Sequence, residues 1–161
     1  MDYSRVCFVI MPFGKKPVGD KTVDFDQIYK DIFEPAINMV ALPAPEQGHL
    51  EARRTDKDFF AGDISYEMFN YLEYSRFALA DITGLNANVF YELGLAHALK
   101  KPVVLVSSNE EDVPFDLHHI RVIYYNVTDP FWGTKLIEKV AENILSAIRN
   151  PEEAIFKGSN E

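Results

Sequence analysis

The chain of 161 residues has little of several features that mark common classes of protein. It has one cysteine, Cys7, so no internal disulfide can form, and we expect a reducing compartment such as the cytoplasm. Lys and Arg together number 16 against 25 for Asp and Glu, which gives a formal net charge of −9. This shortage of basic residues argues against nucleic acid or an anionic membrane as a main partner.

Long apolar runs and familiar metal or phosphate motifs are missing from the sequence too. The apolar run near the N-terminus is too short for a signal peptide, and no stretch approaches the length of a membrane-spanning helix. One cysteine and four scattered histidines form no zinc pattern, and there is no GxGxxG or P-loop motif. We therefore expect neither a metal nor a cofactor.

What is present fits a globular α/β domain, with 47% apolar and 25% charged residues. The length predicts one domain over residues 1–150 and a short C-terminal tail over 151–161. Five apolar runs alternate with helical patterns, and we interpret them as strands. They are Val6–Met11, His49–Thr55, Phe77–Ala80, Val103–Val106 and Val122–Tyr125.

This alternation predicts a flavodoxin-like three-layer α/β/α sandwich with five helices and a five-stranded parallel sheet in the order 2-1-3-4-5. Two details follow. Pro35 should kink or split the first helix, and the polar segment from Gly14 to Asp24 should be a long loop. In this strand order the loops after Met11 and Asp81 flank one crevice, where ligands of such sheets bind.

The segment from Arg76 to Ser107 organises the prediction, because it has the pattern strand, loop, helix, strand. Asp81 ends the strand, and Glu92 lies in the first turns of the helix. We expect Asn88 to cap this helix and the helix dipole to favour the anionic form of Glu92. A carboxylate facing a cleft can act as a nucleophile or stabilise a cation.

Each of these residues also has a purely structural interpretation. Glu92 can simply complement the helix dipole, and Asp81 can hold the turn that follows it. Arg54 can form an ordinary salt bridge at an edge strand.

Two motifs carry a resemblance to a known family. They are FVIMPFG at Phe8–Gly14 and ADITGLNANVFYELGLAHA at Ala80–Ala98, and PFDL at Pro114–Leu117 extends them. The chain resembles the nucleoside 2-deoxyribosyltransferase-like proteins. It is more closely similar to a bacterial subgroup often placed with Toll/interleukin-1 receptor (TIR)-like domains.

The resemblance implies cleavage or transfer at an N-glycosidic bond of a nucleoside or nucleotide. Glu92 falls at the position of the glutamate that attacks the anomeric carbon, and Asp81, with its pKa raised by burial, would supply a proton to the departing base. The residues expected to bind the substrate are Met11, Pro12, Phe13, Gly14, Arg54, Asp56, Thr83, Gly84, Asn86 and Asn88.

The chain departs from the transferases at two places. Met11–Gly14 holds no tyrosine where they have one, and Ser75-Arg76 stands where they have an aspartate. Two alternatives therefore stay open beside a transferase: a TIR-like NAD glycohydrolase effector, and a catalytically inactive module for nucleotide sensing or assembly.

The partners expected from these observations are a nucleoside, a nucleotide or NAD, and further copies of the same chain. Tyr66, Phe69, Tyr71 and Tyr74 crowd one predicted helix, which is more than one of its faces can bury. We expect a homodimer or larger assembly through this region.

Overall fold

A parallel sheet forms the centre of the computed structural model, which describes residues 1–55, 61–117 and 120–157, with the backbone alone for 61–65. The strands are β1 (Val6–Ile10), β2 (Lys15–Val18), β3 (Lys21–Asp24), β4 (Glu51–Arg53), β5 (Phe77–Asp81), β6 (Val103–Ser107) and β7 (Val122–Tyr124). The helices are α1 (Phe25–Ile28), α2 (Glu34–Asn38), α3 (Ala61–Tyr74), α4 (Ala87–Ala98) and α5 (Trp132–Arg149).

The sheet has the order β4-β1-β5-β6-β7, and all of its strand pairs are parallel. Counted among themselves, these five strands follow 2-1-3-4-5, so the predicted fold is confirmed. The labels differ from that numbering only because β2 and β3 form a separate hairpin. Every residue of β1, β5 and β6 is buried, which explains why their sequences show no alternation of apolar and polar residues.

Alternate side chains of each central strand point into two separate apolar layers. Phe8 of β1 and Ala80 of β5 belong to the layer under α3 and α4. Val9 of β1 and Leu79 of β5 belong to the opposite layer, under α1, α2 and α5. The face to which a strand residue points therefore determines which helices it meets.

The first helical region is split, as the sequence predicts. A π-helical turn over Tyr29–Phe33 separates α1 from α2, and Pro35 lies in the first turn of α2. Proline has no backbone N–H, and its ring would clash with the carbonyl four residues earlier. The wider turn just before Pro35 removes that clash and keeps the chain helical.

Two expectations about local structure are wrong. The segment expected to be a long loop forms the β2–β3 hairpin, whose turn has Gly19 at a φ of +64°. The helix that the alternation predicts between β6 and β7, the fourth in chain order, is replaced in the described part of that segment by two short 3₁₀ turns, Glu110–Asp112 and Phe115–Leu117.

The tail after α5 packs back onto the domain. A 3₁₀ turn over Pro151–Ala154 leads to a backbone bridge between Ile155 and Pro102, and the Phe156 ring stacks on His97 with centroids 4.7 Å apart. Among the described helices, none has both the length and the apolar character needed to cross a bilayer.

Candidate functional site

The carboxyl edge of the sheet gathers most of the residues that the sequence singles out, and it holds them in two groups. The first group lies at the ends of β5, β6 and β7, around the carboxylate of Asp81. The second lies at the ends of β1 and β4, around the guanidinium of Arg54. Glu92 lies on α4, the helix that follows β5.

Asp81 is fully buried and accepts three hydrogen bonds. Its Oδ1 accepts from the backbone N–H of Thr83 at 3.0 Å and from the Thr83 hydroxyl at 2.6 Å. Its Oδ2 accepts from the hydroxyl of Tyr125 at 2.8 Å. The Thr83 oxygen accepts in turn from the backbone N–H of Ser108 at 2.9 Å, so the cluster ties the ends of three strands together.

Burial raises the pKa of Asp81 to about 6, although the hydrogen bonds from Thr83 and Tyr125 oppose the shift. This agrees with the raised pKa that the sequence analysis required for a proton donor. All three hydrogen-bond donors are protein groups, however, and no part of the side chain reaches solvent. The geometry therefore gives Asp81 a role in shaping the loop.

The loop after Asp81 begins α4 at a definite residue. Gly84 has a φ of +83° and Leu85 has a φ of +56°, so the chain reverses direction before the helix. The side chain of Asn86 then accepts hydrogen bonds from the N–H groups of Asn88 and Val89, at 3.0 and 3.2 Å. The expectation that Asn88 caps the helix is therefore wrong, because Asn86 is the cap and Asn88 is an exposed residue of the first turn.

Asp112 supports the same loop and was not singled out from the sequence. Its Oδ2 accepts a hydrogen bond of 2.7 Å from the backbone N–H of Gly84. Nothing in the spacing of the acidic residues in Asn109–Val113 shows which of them points inward. On the other side of Gly84, Val18 of the hairpin lies 3.9 Å from the position that a Cβ would occupy.

Glu92 is the sixth residue of α4 and is half-buried. Burial alone raises its pKa to about 7, well above the usual range of a glutamate. The effect of the helix dipole falls off within the first turn, and Glu92 lies beyond that turn, so the expected preference for the anionic form is not found. Within the described residues, Glu92 has neither a hydrogen bond nor an ion pair.

Asp81 and Glu92 are associated with opposite faces of the sheet. Asp81 bonds to Tyr125, which belongs to the apolar layer under α1, α2 and α5. The buried residues of α4, such as Val89 and Leu93, belong to the other layer. No hydrogen bond joins the two acids within the described residues, and we consider each separately.

The second group centres on Arg54, whose side chain is only 13% exposed. Its Nη2 donates to Asp26 Oδ1 at 3.2 Å and to the Pro12 carbonyl at 3.3 Å. The same Asp26 oxygen accepts from the backbone N–H of Gly14 at 3.0 Å. The guanidinium carbon lies 4.3 Å from the centre of the Phe13 ring and 5.0 Å from that of Tyr29.

The structure thus unites part of the expected substrate site. Pro12, Phe13, Gly14 and Arg54 are together, whereas Met11 is buried in the apolar layer beneath them. Thr83 is buried with Asp81, while Gly84 and Asn88 are exposed and Asn86 is occupied as a helix cap. Asp56 lies outside the described residues.

Sequence reasoning assigned no role to Asp26 or Tyr29. Asp26 joins Gly14 to Arg54, and Tyr29 supplies the second ring. Their distance from Phe13 along the sequence does not show that they meet Arg54, because that contact depends on the fold.

Two small cavities lie beside these groups. One of about 250 Å³ separates the hairpin, at Val18 and Lys21, from Ser108 and Asn126 at the ends of β6 and β7. One of about 280 Å³ is lined by Tyr125, Trp132 and the first turns of α5. Neither is lined by Glu92. Among the described residues no cluster of three or more metal-ligating side chains occurs.

Comparison of the chain with family models, with curated proteins and with solved structures finds no match.

The Asp81 cluster can be tested through Tyr125. Replacing Tyr125 by Phe removes the hydroxyl that donates to Asp81 Oδ2 and leaves a buried carboxyl group short of a donor. We expect the free energy of unfolding in urea to fall by about 1 to 3 kcal/mol. Tyr124→Phe is the matched control, because Tyr124 is exposed and should change stability by less than about 0.5 kcal/mol. Equal losses in the two variants would refute the proposed importance of the cluster.

Proposed function

We propose that the protein cleaves, or transfers at, the N-glycosidic bond of a nucleoside or nucleotide, with Glu92 at the reacting centre. The observation that carries this proposal is the state of Glu92, a half-buried carboxyl group with a pKa near 7 and no partner within the described residues. Such a group costs stability without forming a structural bond. Acids of this kind concentrate at functional sites.

The chemistry of Glu92 follows from this state. At and above neutral pH its carboxylate can attack the anomeric carbon of the sugar while the bond from that carbon to the base nitrogen breaks. The electron pair of the broken bond stays on the base nitrogen, which takes a proton from water. A water molecule or a second base then displaces Glu92 from the sugar and restores the carboxylate.

We assign supporting roles to the two groups of residues at the carboxyl edge of the sheet. Asp81, together with Thr83, Tyr125 and Asp112, holds the loop that begins α4 and so positions Glu92. Phe13, Gly14 and Arg54 lie together at the carboxyl ends of β1 and β4, and we assign them to substrate binding. The free, buried thiol of Cys7 suits a reducing compartment, and we place the protein in the cytoplasm.

The proposal predicts that Glu92→Gln abolishes base release. We expect the full-length protein to release a free base from at least one of three substrate types: NAD, deoxynucleosides or nucleoside monophosphates. The amide should lower the rate by roughly 10³-fold or more, because it cannot act as the nucleophile. The assay is chromatographic separation of the base at high enzyme concentration.

Glu138→Gln, an exposed change on α5, is the control and should keep full activity. Nicotinamide as the released base would identify the TIR-like NAD glycohydrolase alternative. Binding of a nucleotide without any release would identify the inactive sensing module, and the proposed enzyme function would be rejected.

A pH profile gives an independent test of Glu92. Its carboxylate is the reactive form, so the rate of base release should rise with pH and reach half of its plateau near pH 7. The folded state holds the proton of Glu92 more tightly than the unfolded chain does. The folded protein should therefore lose stability as pH rises through 7 and Glu92 becomes ionised. Glu92→Gln should therefore gain stability relative to wild type between pH 5 and pH 8. A flat rate profile over this range would contradict the assignment.

We also propose self-assembly through the exposed aromatic face of α3. Tyr66, Phe69 and Tyr74 are 74%, 44% and 56% exposed, while Tyr71 is buried against Phe8. Large rings left in water on one helix face are typical of a protein–protein contact.

Light scattering coupled to size exclusion should show a dimer or larger species at micromolar concentration. The double variant Tyr66→Ser, Phe69→Ser should shift it to the monomer, because it removes most of the exposed ring surface. Phe131→Asn is the control, since Phe131 is an exposed ring elsewhere, and its left-handed backbone suits asparagine. A wild-type monomer would disprove the assembly.

A further inference from the structure

Arg54 is held differently from the other arginines that form ion pairs in the described part of the chain. Its guanidinium plane lies close to two aromatic rings, Phe13 and Tyr29, which come from the end of β1 and from the π-helical turn. Contacts with two rings restrict the position and tilt of a planar cation. The side chain is thus preorganised, with 13% of its surface exposed.

Only one nitrogen of this guanidinium is used by the described residues. Nη2 makes both hydrogen bonds, to Asp26 and to the Pro12 carbonyl, while Nε and Nη1 have no partner there. Arg76 provides the contrast, because its two terminal nitrogens bind the two oxygens of Glu46 at 2.9 and 3.0 Å. Within the described residues, Arg54 does not use its fork in this way.

The backbone beside Arg54 is open to a ligand. Gly14 has a φ of +67°, and among the described residues no atom beyond its chain neighbours lies within 4 Å of the position that its Cβ would take. The Asp26 carboxylate fixes both the Gly14 N–H and the Arg54 Nη2, so the two groups keep a constant relation. Phe13 and Gly14 directly follow β1, at the sheet edge where parallel α/β folds bind ligands.

The net charge of the protein bears on what Arg54 can recognise. With a net charge of −9, the protein does not attract anions from a distance. Recognition of an anionic group must therefore come from a fixed cation at short range. A guanidinium with free donors is the side chain best suited to a phosphate oxygen pair.

We propose that Arg54 binds a phosphate group of the substrate, so that the substrate class is a nucleoside phosphate or a dinucleotide and not a free nucleoside. This inference rests on the proposed function and specifies its substrate. Nε and Nη1 of Arg54 donate to two phosphate oxygens, while the Phe13 and Tyr29 rings hold the guanidinium in place.

The test compares a deoxynucleoside with its 5′-monophosphate, which differ only in phosphate, and adds NAD as a dinucleotide. A deoxynucleoside, its 5′-monophosphate and NAD are titrated calorimetrically into the full chain and assayed for base release. We expect the wild type to favour a phosphorylated ligand by roughly tenfold or more in both measurements. Preference for the monophosphate would identify a mononucleotide substrate, and preference for NAD would identify a dinucleotide.

Arg54→Lys keeps the charge but loses the fork, and it should reduce this preference to about threefold or less while leaving binding of the nucleoside unchanged. Phe13→Leu keeps Arg54 but removes one ring, and it should also weaken the preference for the phosphorylated ligand. This second variant keeps the test decisive if Arg54→Lys does not fold. Arg76→Lys is the control, because Arg76 lies at the amino end of β5 and pairs with Glu46. It should leave the preference intact.

The two proposals fail in different ways. Equal use of the nucleoside and its monophosphate, unchanged in Arg54→Lys, would overturn the phosphate site and leave the glycosidic reaction standing. Phosphate-dependent binding that is lost in Arg54→Lys, without release of any base, would support the phosphate site and overturn the proposed reaction.

Discussion

The buried carboxylate of Asp81 is the constraint on which the functional edge of this protein depends. Removing a carboxyl group from water is costly, and the structure offsets the cost with three donors, from the Thr83 backbone, the Thr83 hydroxyl and Tyr125. The pKa of about 6 shows that burial still exceeds the effect of these bonds. The donors come from the loop after β5 and from the end of β7, so satisfying Asp81 brings those segments together.

The position of Glu92 follows from that constraint through the chain. Asp81 fixes Thr83, Asp112 holds Gly84, and the left-handed residues Gly84 and Leu85 turn the backbone toward Asn86. Asn86 caps α4, and the helix then carries Glu92 to a half-buried place on the other face of the sheet. A change in the Asp81 cluster would therefore move the start of α4 before it altered any group that can react. An acid with no contact to solvent can in this way matter for the reaction that we propose at Glu92.

The parts of this structure that follow from local patterns of apolar residues could be predicted from the sequence. The parts that depend on contacts formed only in the folded chain could not. The buried runs of β1, β5 and β6 and their parallel order could be predicted, because unbroken apolar strands need cover on both faces.

The position of the helix cap was missed by two residues, since Asn86 and Asn88 are equally good caps by type. The β2–β3 hairpin was missed because Lys15–Asp24 lacks the alternation that marks a half-buried strand. The raised pKa of Glu92 depends on the depth of α4 against its neighbours, which no local pattern records.

The arrangement around Arg54 shows the same limit on prediction from sequence, and its geometry favours an arginine over a lysine. Phe13, Tyr29 and Arg54 are far apart in sequence, and only the meeting of β1, the π-helical turn and β4 places two rings beside the guanidinium. In an acidic protein a flexible lysine would be drawn to any of the nearby carboxylates, and Asp26 is adjacent. The planar guanidinium can satisfy Asp26 with one nitrogen and still present two others, because its donors diverge in a fixed plane. The rings restrict the turning of that plane, so the charge that pairs with Asp26 would also face the proposed phosphate.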